Sequence, residues 1–299
     1  MKVITVGKSY IDIDGYASAI AYQKLLTLQG IEAKFVSNAM LNYSITNSLL
    51  NTGYGIDDYQ VTDNDEFIIL DLSNKTYFPE FVNEDKIVEI IDHHPGFETY
   101  WSKRLGNKAL IKPIGSVATL IVEKYEQANL FNQIDTNLAK LLMAAILDNT
   151  LNFTAKITTS KDIETYQKLT NLINNEDFAS NYFLEVENTI ITNLNEAIKN
   201  DIKITHINDW LPDSFGQLTI WDASLIKETE LRKIMDSYSD KWLMNLISLK
   251  DNTSYLIVSN NMVLDKLNQF LKGDNIDLGL ILKPAMLRKE IMQKAIQQE

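Results

Sequence analysis

The chain has 299 residues, 45% of them hydrophobic and 23% charged, which is enough for a sizeable core and, by length, two domains. Its net charge of -12 argues against broad binding to nucleic acid or an anionic membrane, because no counterion-releasing basic surface is in view. Cysteine is absent, which excludes disulfides and thiolate metal sites.

Met1 to Val6 enters a strand pattern at once, without the longer apolar core of a signal peptide. No apolar run approaches the roughly 18 residues of a membrane span, so a cytoplasmic protein is expected. Val3 to Gly7 is a β-branched run that reads as a buried strand. After Lys8-Ser9-Tyr10-Ile11-Asp12-Ile13-Asp14-Gly15, the apolar residues Ala17, Ile20, Ala21, Leu25 and Leu28 recur at helical spacing and stop at Gly30. Ala33 to Val36 reads as the next strand, Ile45 to Leu50 as a short helix, and Glu66 to Asp71 as a buried strand ending in an acid. Ile87 to Ile91 is another such strand, and it runs into Asp92-His93-His94. Gly115-Ser116 opens a helix through about Gln127, and Asp135 caps a second that ends at Asp148.

Strands alternating with helices predict an α/β fold, a mainly parallel sheet with helices on both faces. Asp162 to about Leu172 and Phe178 to about Lys199 read as helices without Gly or Pro, a connector spanning about 160–200. From Gly216 the pattern restarts as a smaller α/β domain. Its strands are expected at 217–221, 242–249, 255–258 and 278–282, with helices near 225–235 and 262–271. The expected domains are 1–185, which would bind metal, and 186–299, which would bind substrate.

Two of the three histidines sit together after an apolar strand, beside Asp92. Taken singly, each acid after a strand reads as a cap or a solvated carboxylate. Asp12 and Asp14 after the first strand, Asp71 after the third and Asp92-His93-His94 after the fourth can meet, because parallel strands deliver their C-terminal ends to one edge. Asp148, at a helix end, joins them. Carboxylates with one or two imidazoles suit a divalent cation, manganese or a magnesium-like ion ahead of a tetrahedral sulfur site. Two cations about 3.5–4 Å apart, bridged by a carboxylate, would clamp a phosphoryl group and activate water.

These residues resemble the DHH phosphoesterase superfamily, in the branch that holds the family II inorganic pyrophosphatases and exopolyphosphatases. Asp12-Ile13-Asp14-Gly15-Tyr16-Ala17-Ser18-Ala19 is similar to its first motif, Asp71 to the second and Asp92-His93-His94 to the third. The likeness continues at Gly115 to Thr119, at Ala145 to Leu151, and more weakly at Asn200 to Lys203 and Leu287 to Lys289. The Gly-Gly-Gly-His run of the branch acting on oligonucleotides and dinucleotides is absent from the sequence. The resemblance implies a metal-dependent hydrolase acting on pyrophosphate, polyphosphate or a related small phosphate compound in a cleft between two domains. Asp12 would serve a first metal site and Asp14 a second, with Asp71 bridging both. His93 and Asp148 would complete the second site, and His94 would lie beside the attacked phosphoryl group. Lys203, Arg288 and Lys289 would grip the substrate. Manganese is the implied cofactor, with magnesium or cobalt as alternatives and one or two ions per chain. A small phosphorylated substrate is expected, with no nucleic acid, no membrane, and a homodimer as the usual assembly of such families.

One position departs from that pattern. The family places a metal-binding histidine after the first strand, in a Gly-His pair, whereas this chain has Gly7-Lys8. A protonated lysine has donors only and ligates no cation. Either the first metal is absent or weak and the Lys8 ammonium stands in its place, or the metal binds with water or Ser9 there. Lys8 also keeps open a rival reading, a catalytically weakened protein that binds a phosphorylated ligand as a sensor. The third histidine, His206, reads as structural or solvated. Tyr100-Trp101 could wall the cleft, although loop aromatics more often pack on a neighbouring helix.

Overall fold

The computed structural model describes residues 1–173, 177–204, 211–212 and 214–296. By internal contacts the chain divides into two compact units, one of residues 1–153 and 157–179, the other of residues 154–156 and 180–299.

The first unit is built on β1 (Lys2–Thr5), α1 (Ile13–Leu28), β2 (Ala33–Phe35), α2 (Asn47–Leu50), β3 (Glu66–Leu70), β4 (Ile87–Asp92), α3 (Glu98–Leu105), β5 (Ala109–Ile111), α4 (Val117–Gln127), α5 (Thr136–Asn149) and α6 (Ser160–Ile173). Its sheet has the order β2-β1-β3-β4-β5, and every pair is parallel. The central strands are continuous apolar runs because both faces of a parallel sheet are covered. The residues from Phe67 to Leu70 and from Ile90 to Asp92 are all buried. Glu89 is the polar residue in the middle of β4, and its carboxylate accepts from Tyr22 Oη at 2.7 Å and Lys124 Nζ at 2.9 Å. Side chains start the helices: Asp12 caps α1, Ser116 caps α4 and, as expected, Asp135 caps α5. α6 packs against α5 and α4 within this unit.

The segment expected as one helix to Lys199 is two, α7 (Phe178–Thr192) and α8 (Leu194–Lys199), with a break at Asn193. The second unit continues with β6 (Lys203–Ile204), β7 (Ser214–Ile220), α9 (Glu228–Tyr238), β8 (Trp242–Ser248), β9 (Thr253–Val258), α10 (Asn261–Phe270), β10 (Asp274–Ile276), β11 (Gly279–Leu282) and α11 (Arg288–Ile296). Its sheet runs β10-β11-β9-β8-β7-β6 and is mixed, with β7 and β8 parallel and the other neighbours antiparallel. The gap between Ser248 and Thr253 is too short for a crossover and allows only a hairpin. β8 is buried along its whole length, and Phe215, Leu243, Leu256 and Val258 form one core with Val263 and Leu267 of α10 and Ile291 of α11. Among the described residues no helix is long and apolar enough to cross a membrane.

Candidate functional site

β1, β3 and β4 are parallel neighbours, so the residues after them leave on one edge of the first sheet. Asp71 follows β3 directly with φ of 56°. This left-handed conformation is one that Asp tolerates better than bulky residues. The Asp71 amide donates to Ile91 O at 2.9 Å, which pins the turn to β4. There Asp92 closes the strand, and the histidines follow. His93 Nε2 stands 3.3 Å from Asp71 Oδ1, and His94 Nδ1 stands 3.8 Å from the same oxygen. Among the described residues, Asp71, His93 and His94 form a group whose ligand atoms all lie within 4.8 Å of one another.

Hydrogen bonds assign the imidazoles different tasks. His93 Nδ1 lies 3.0 Å from Ile114 O. A carbonyl only accepts, so Nδ1 carries a proton and Nε2 is the nitrogen that faces Asp71. Metal-ligating histidines are oriented by this kind of second contact. His94 Nδ1 lies 2.8 Å from Asp92 Oδ1, which also accepts the amides of His93 at 2.7 Å and His94 at 3.1 Å. Burial pushes the Asp92 carboxyl up, but the charge and hydrogen bond of His94, with His93 and Ser73, hold it down at about 2. An ionised Asp92 takes the Nδ1–H of His94, so Nε2 is the nitrogen left to exchange a proton. His93 is buried, whereas the His94 side chain is 36% exposed and can meet a ligand.

α1 brings two more carboxylates. Asp12 Oδ1 accepts the Gly15 amide at 3.0 Å. Asp14 is fully buried and closes the first turn of α4: Oδ1 accepts Ser116 Oγ at 2.8 Å and the Ala118 amide at 2.9 Å, while Oδ2 accepts the Val117 amide at 2.8 Å. Burial first, then Asp71, raise the Asp14 carboxyl to about 7; Asp12 pushes the same way, against His93 and the Val117 amide. A cation would relieve this crowding of like charge. Asp12 Oδ1 and Asp71 Oδ2 flank one point, because a Cβ built on Gly15 would lie 3.5 Å from the first and 3.6 Å from the second. Carboxylate oxygens gathered at one edge, with an imidazole fixed at its far nitrogen, fit a divalent cation such as manganese.

The other predicted residues are placed as follows. Asp148 lies near the end of α5, half-buried, and is not in the Asp71-His93-His94 group. Lys8 is exposed, and its amide donates to Tyr77 O at 3.0 Å. In the second unit Lys203 on β6 and Lys289 on α11 are half-buried. Arg288 is buried, and its Nη1 donates to Asp201 O at 2.9 Å, Asp201 Oδ1 at 2.9 Å and Phe215 O at 2.8 Å. His206 lies outside the described residues. Trp101 is buried with Nε1 donating to Ser73 O at 2.7 Å, and its ring lies 6.0 Å from that of Phe78. Half-exposed Tyr100 donates to Glu84 Oε1 at 2.5 Å. This pair therefore packs within the unit.

Two contacts were not foreseen. One is the grip of Asp14 on the start of α4. The other is Asp162, buried, which accepts from the Gly115 amide at 3.0 Å, Thr119 Oγ1 at 2.7 Å, the Thr159 amide at 2.8 Å and Thr159 Oγ1 at 2.7 Å. Thr159-Ser160-Lys161-Asp162 has the spacing of a capping box, which was the available signal.

Residues 2–146 match the model of the DHH family, N-terminal domain. A Methanocaldococcus jannaschii protein named manganese-dependent inorganic pyrophosphatase is 27% identical over 243 residues, covering 75% of this chain and 76% of the relative. A Bacillus subtilis protein of the same name is 26% identical over 180 residues, and that match covers 56% of this chain and 54% of the relative, so the chain spans about half the length of this and several similar relatives. Of solved structures, a Methanococcus jannaschii protein assigned to the family II inorganic pyrophosphatases superposes with a TM-score of 0.75 at 23% identity, over 99% of this chain and 100% of the other. An exopolyphosphatase-related protein from Bacteroides fragilis gives 0.54 at 14% identity, over 99% and 92%. At those identities the likeness is one of fold.

Proposed function

We propose that this chain, whose residues 2–146 carry the DHH-family domain, is a metal-dependent hydrolase of phosphoanhydrides, with pyrophosphate or a short polyphosphate as substrate and manganese as cofactor. The observation that supports it most is the meeting of Asp71 Oδ1 and His93 Nε2 at 3.3 Å, on the edge that also carries Asp12, Asp14 and His94. Asp12, Asp14, Asp71, His93 and Asp148 are the residues that would hold the metal. When bound, a divalent cation would lower the pKa of an attacking water and offset charge on the phosphoryl oxygens. The protein's own groups do the rest. Asp92 and Ile114 O fix the two imidazoles, so neither ring must reorient during reaction. Nε2 of His94 can hand a proton to the departing phosphate, since Nδ1 is committed to Asp92. Lys203 and Lys289 supply positive charge for the outer phosphates, while Arg288 fixes the start of α11 through Asp201 and Phe215.

Lys8 bears on how many ions are held. Either its ammonium stands as a fixed positive charge in place of the first cation, since two cations side by side repel strongly at short range, or a first ion binds between Asp12 and Asp71 with water or Ser9. Two tightly bound ions per chain in a metal analysis would select the second. The substrate is assayed directly, by phosphate release from pyrophosphate, tripolyphosphate and a nucleoside triphosphate with added manganese. Release that disappears in His93→Ala and Asp71→Ala supports the assignment. Failure on all three, with phosphate still bound, would leave a ligand-binding protein instead. The reading carries with it a cytoplasmic setting, where such substrates are made.

A further inference from the structure

β8 reads Trp242-Leu243-Met244-Asn245-Leu246-Ile247-Ser248 and is buried throughout, yet it has an amide at its centre. Asn245 has no solvent exposure, and its Oδ1 has no hydrogen-bond partner among the described residues. Such an atom destabilises a core, and leucine there would remove the cost. Asn245 is the register partner of Gln217 on β7, and Ser254 on β9 is two residues from its other partner, Leu256, so the three polar residues share one face. That face is otherwise apolar, with Phe215, Leu243, Leu256 and Val258 in the core cluster.

All three polar side chains touch a single stretch of backbone. Asn245 Nδ2 donates to Met286 O at 2.8 Å and to Gln217 Oε1 at 3.3 Å. Ser254 Oγ donates to Met286 O at 3.2 Å and accepts the Met286 amide at 3.0 Å. Gln217 Oε1 accepts the Arg288 amide at 2.5 Å. Just upstream, Asn252 Oδ1 accepts the Ala285 amide at 3.0 Å. The next residues are Arg288, held through Asp201 and Phe215, and Lys289, in the first turn of α11.

We propose that Asn245, with Gln217 and Ser254, is a positioning residue for substrate phosphate: the polar stripe holds the backbone of 285–288 so that Lys289 is presented in one fixed place. The inference rests on the proposed function, in which Lys289 binds the outer phosphate. The stripe reads only main-chain atoms, so it fixes where the segment lies whatever side chains the segment bears. An apolar residue at 245 would pack as well and leave the segment free to shift. A positioning error of about 1 Å at a binding group is enough to lose two orders of magnitude in such sites.

The test uses the full chain with manganese and pyrophosphate. Asn245→Leu is expected to keep or raise the thermal midpoint, while KM for pyrophosphate rises about tenfold and kcat stays within about threefold, the pattern of lost uniform binding. Lys289→Ala serves as the reference for that KM effect. Hydrogen exchange at the Met286 and Arg288 amides should quicken about tenfold in Asn245→Leu relative to the rest of the second sheet. Should Asn245→Leu fail to fold, Ser254→Ala takes its place, with Ser254→Thr expected to restore KM because it keeps the hydroxyl. A folded variant with unchanged KM overturns the inference, whether or not exchange quickens, provided Lys289→Ala raises KM. If Lys289→Ala leaves KM alone, the substrate role of Lys289 falls and this inference with it. If the wild-type chain releases no phosphate at all, the proposed function fails separately; dissociation constants for pyrophosphate, measured by calorimetry, then replace KM in the same comparison.

Discussion

Gly15→Ala separates the metal site from the fold. Gly15 lies in the first turn of α1, and an added Cβ would meet Val6 Cγ1 at 3.3 Å, Asp12 Oδ1 at 3.5 Å and Asp71 Oδ2 at 3.6 Å. The contact with Val6 requires a side chain to give by a few tenths of an ångström, a cost below about 1 kcal/mol. Alanine gains up to about 1 kcal/mol over glycine in a helix, somewhat less in its first turn. The two nearly cancel, so unfolding of the metal-free protein should move by less than about 1 kcal/mol, or within about 4 °C. Metal binding responds otherwise. A cation between Asp12 and Asp71 needs its oxygens about 2.0–2.6 Å away, and a methyl carbon 3.5 and 3.6 Å from those oxygens would crowd it. Blocking it should cost more than disturbing an outer contact, which takes 10- to 100-fold, so affinity should drop by about 100-fold or more. Manganese titration by calorimetry measures the affinity, and calorimetric unfolding of the metal-free chain measures the fold. Wild-type affinity in a folded Gly15→Ala protein would refute the placement of the cation between these two carboxylates.

Other consequences can be checked in the same preparations. Asp14 has a folded carboxyl near 7 against an ordinary 3.8, so its ionised form opposes folding. Stability of the metal-free protein should therefore rise as pH falls from about 8 towards 4, and Asp14→Asn should flatten that slope; a wild-type slope in the variant rejects the charge crowding. Manganese must displace that proton, so buffers of different ionisation enthalpy should reveal proton release on binding near pH 7. Asp92 is shifted the other way, to about 2, so it contributes about 2 kcal/mol at neutral pH that is lost as pH falls from about 4 to 2. Asp92→Asn should erase that acid limb and lower kcat by about 100-fold through His94, with manganese affinity nearly unchanged. Asp162→Ala leaves the donors of Gly115, Thr119 and Thr159 unmatched inside the first unit and should lower urea stability by about 3 kcal/mol.

The parallel sheet was legible because its central strands, such as Phe67 to Leu70, are uninterrupted apolar runs that differ from the amphipathic helices between them. The site edge was legible for the same reason, since Asp71 and Asp92 each stand at the end of such a run. Short edge strands were not: Ala109 to Ile111 and Asp274 to Ile276 are three residues each, too brief for a period to register. The hairpin of β8 and β9 could have been inferred from the brief link between them, which rules out the crossover an all-parallel sheet needs. The hydrogen bonds of Arg288 to Asp201 and Phe215 span 87 and 73 positions of chain, beyond any local pattern.

The hydrogen bonds of Asp14, Asp71 and Asp92 have a common logic. Each is a place where folding alone would favour another residue. Asp71 takes a left-handed backbone, Asp14 is buried among like charges, and Asp92 is buried entirely with two imidazoles against it. A protein selected only for stability would have little use for such features at one sheet edge, since each costs on the order of 1–3 kcal/mol before compensation. Hydrogen bonds compensate part of this cost: the amides of Val117 and Ala118 donate to Asp14, and Oδ1 of Asp92 accepts from His94 and from the amides of His93 and His94. Asp12, Asp14 and Asp71 crowd negative charge at this edge, and a bound divalent cation would offset it. Metal binding should accordingly stabilise the first unit: at manganese 100 times its dissociation constant the gain is about 2.7 kcal/mol, and chelation should remove it. A melting midpoint indifferent to both manganese and chelator would mean that these carboxylates meet for some other purpose.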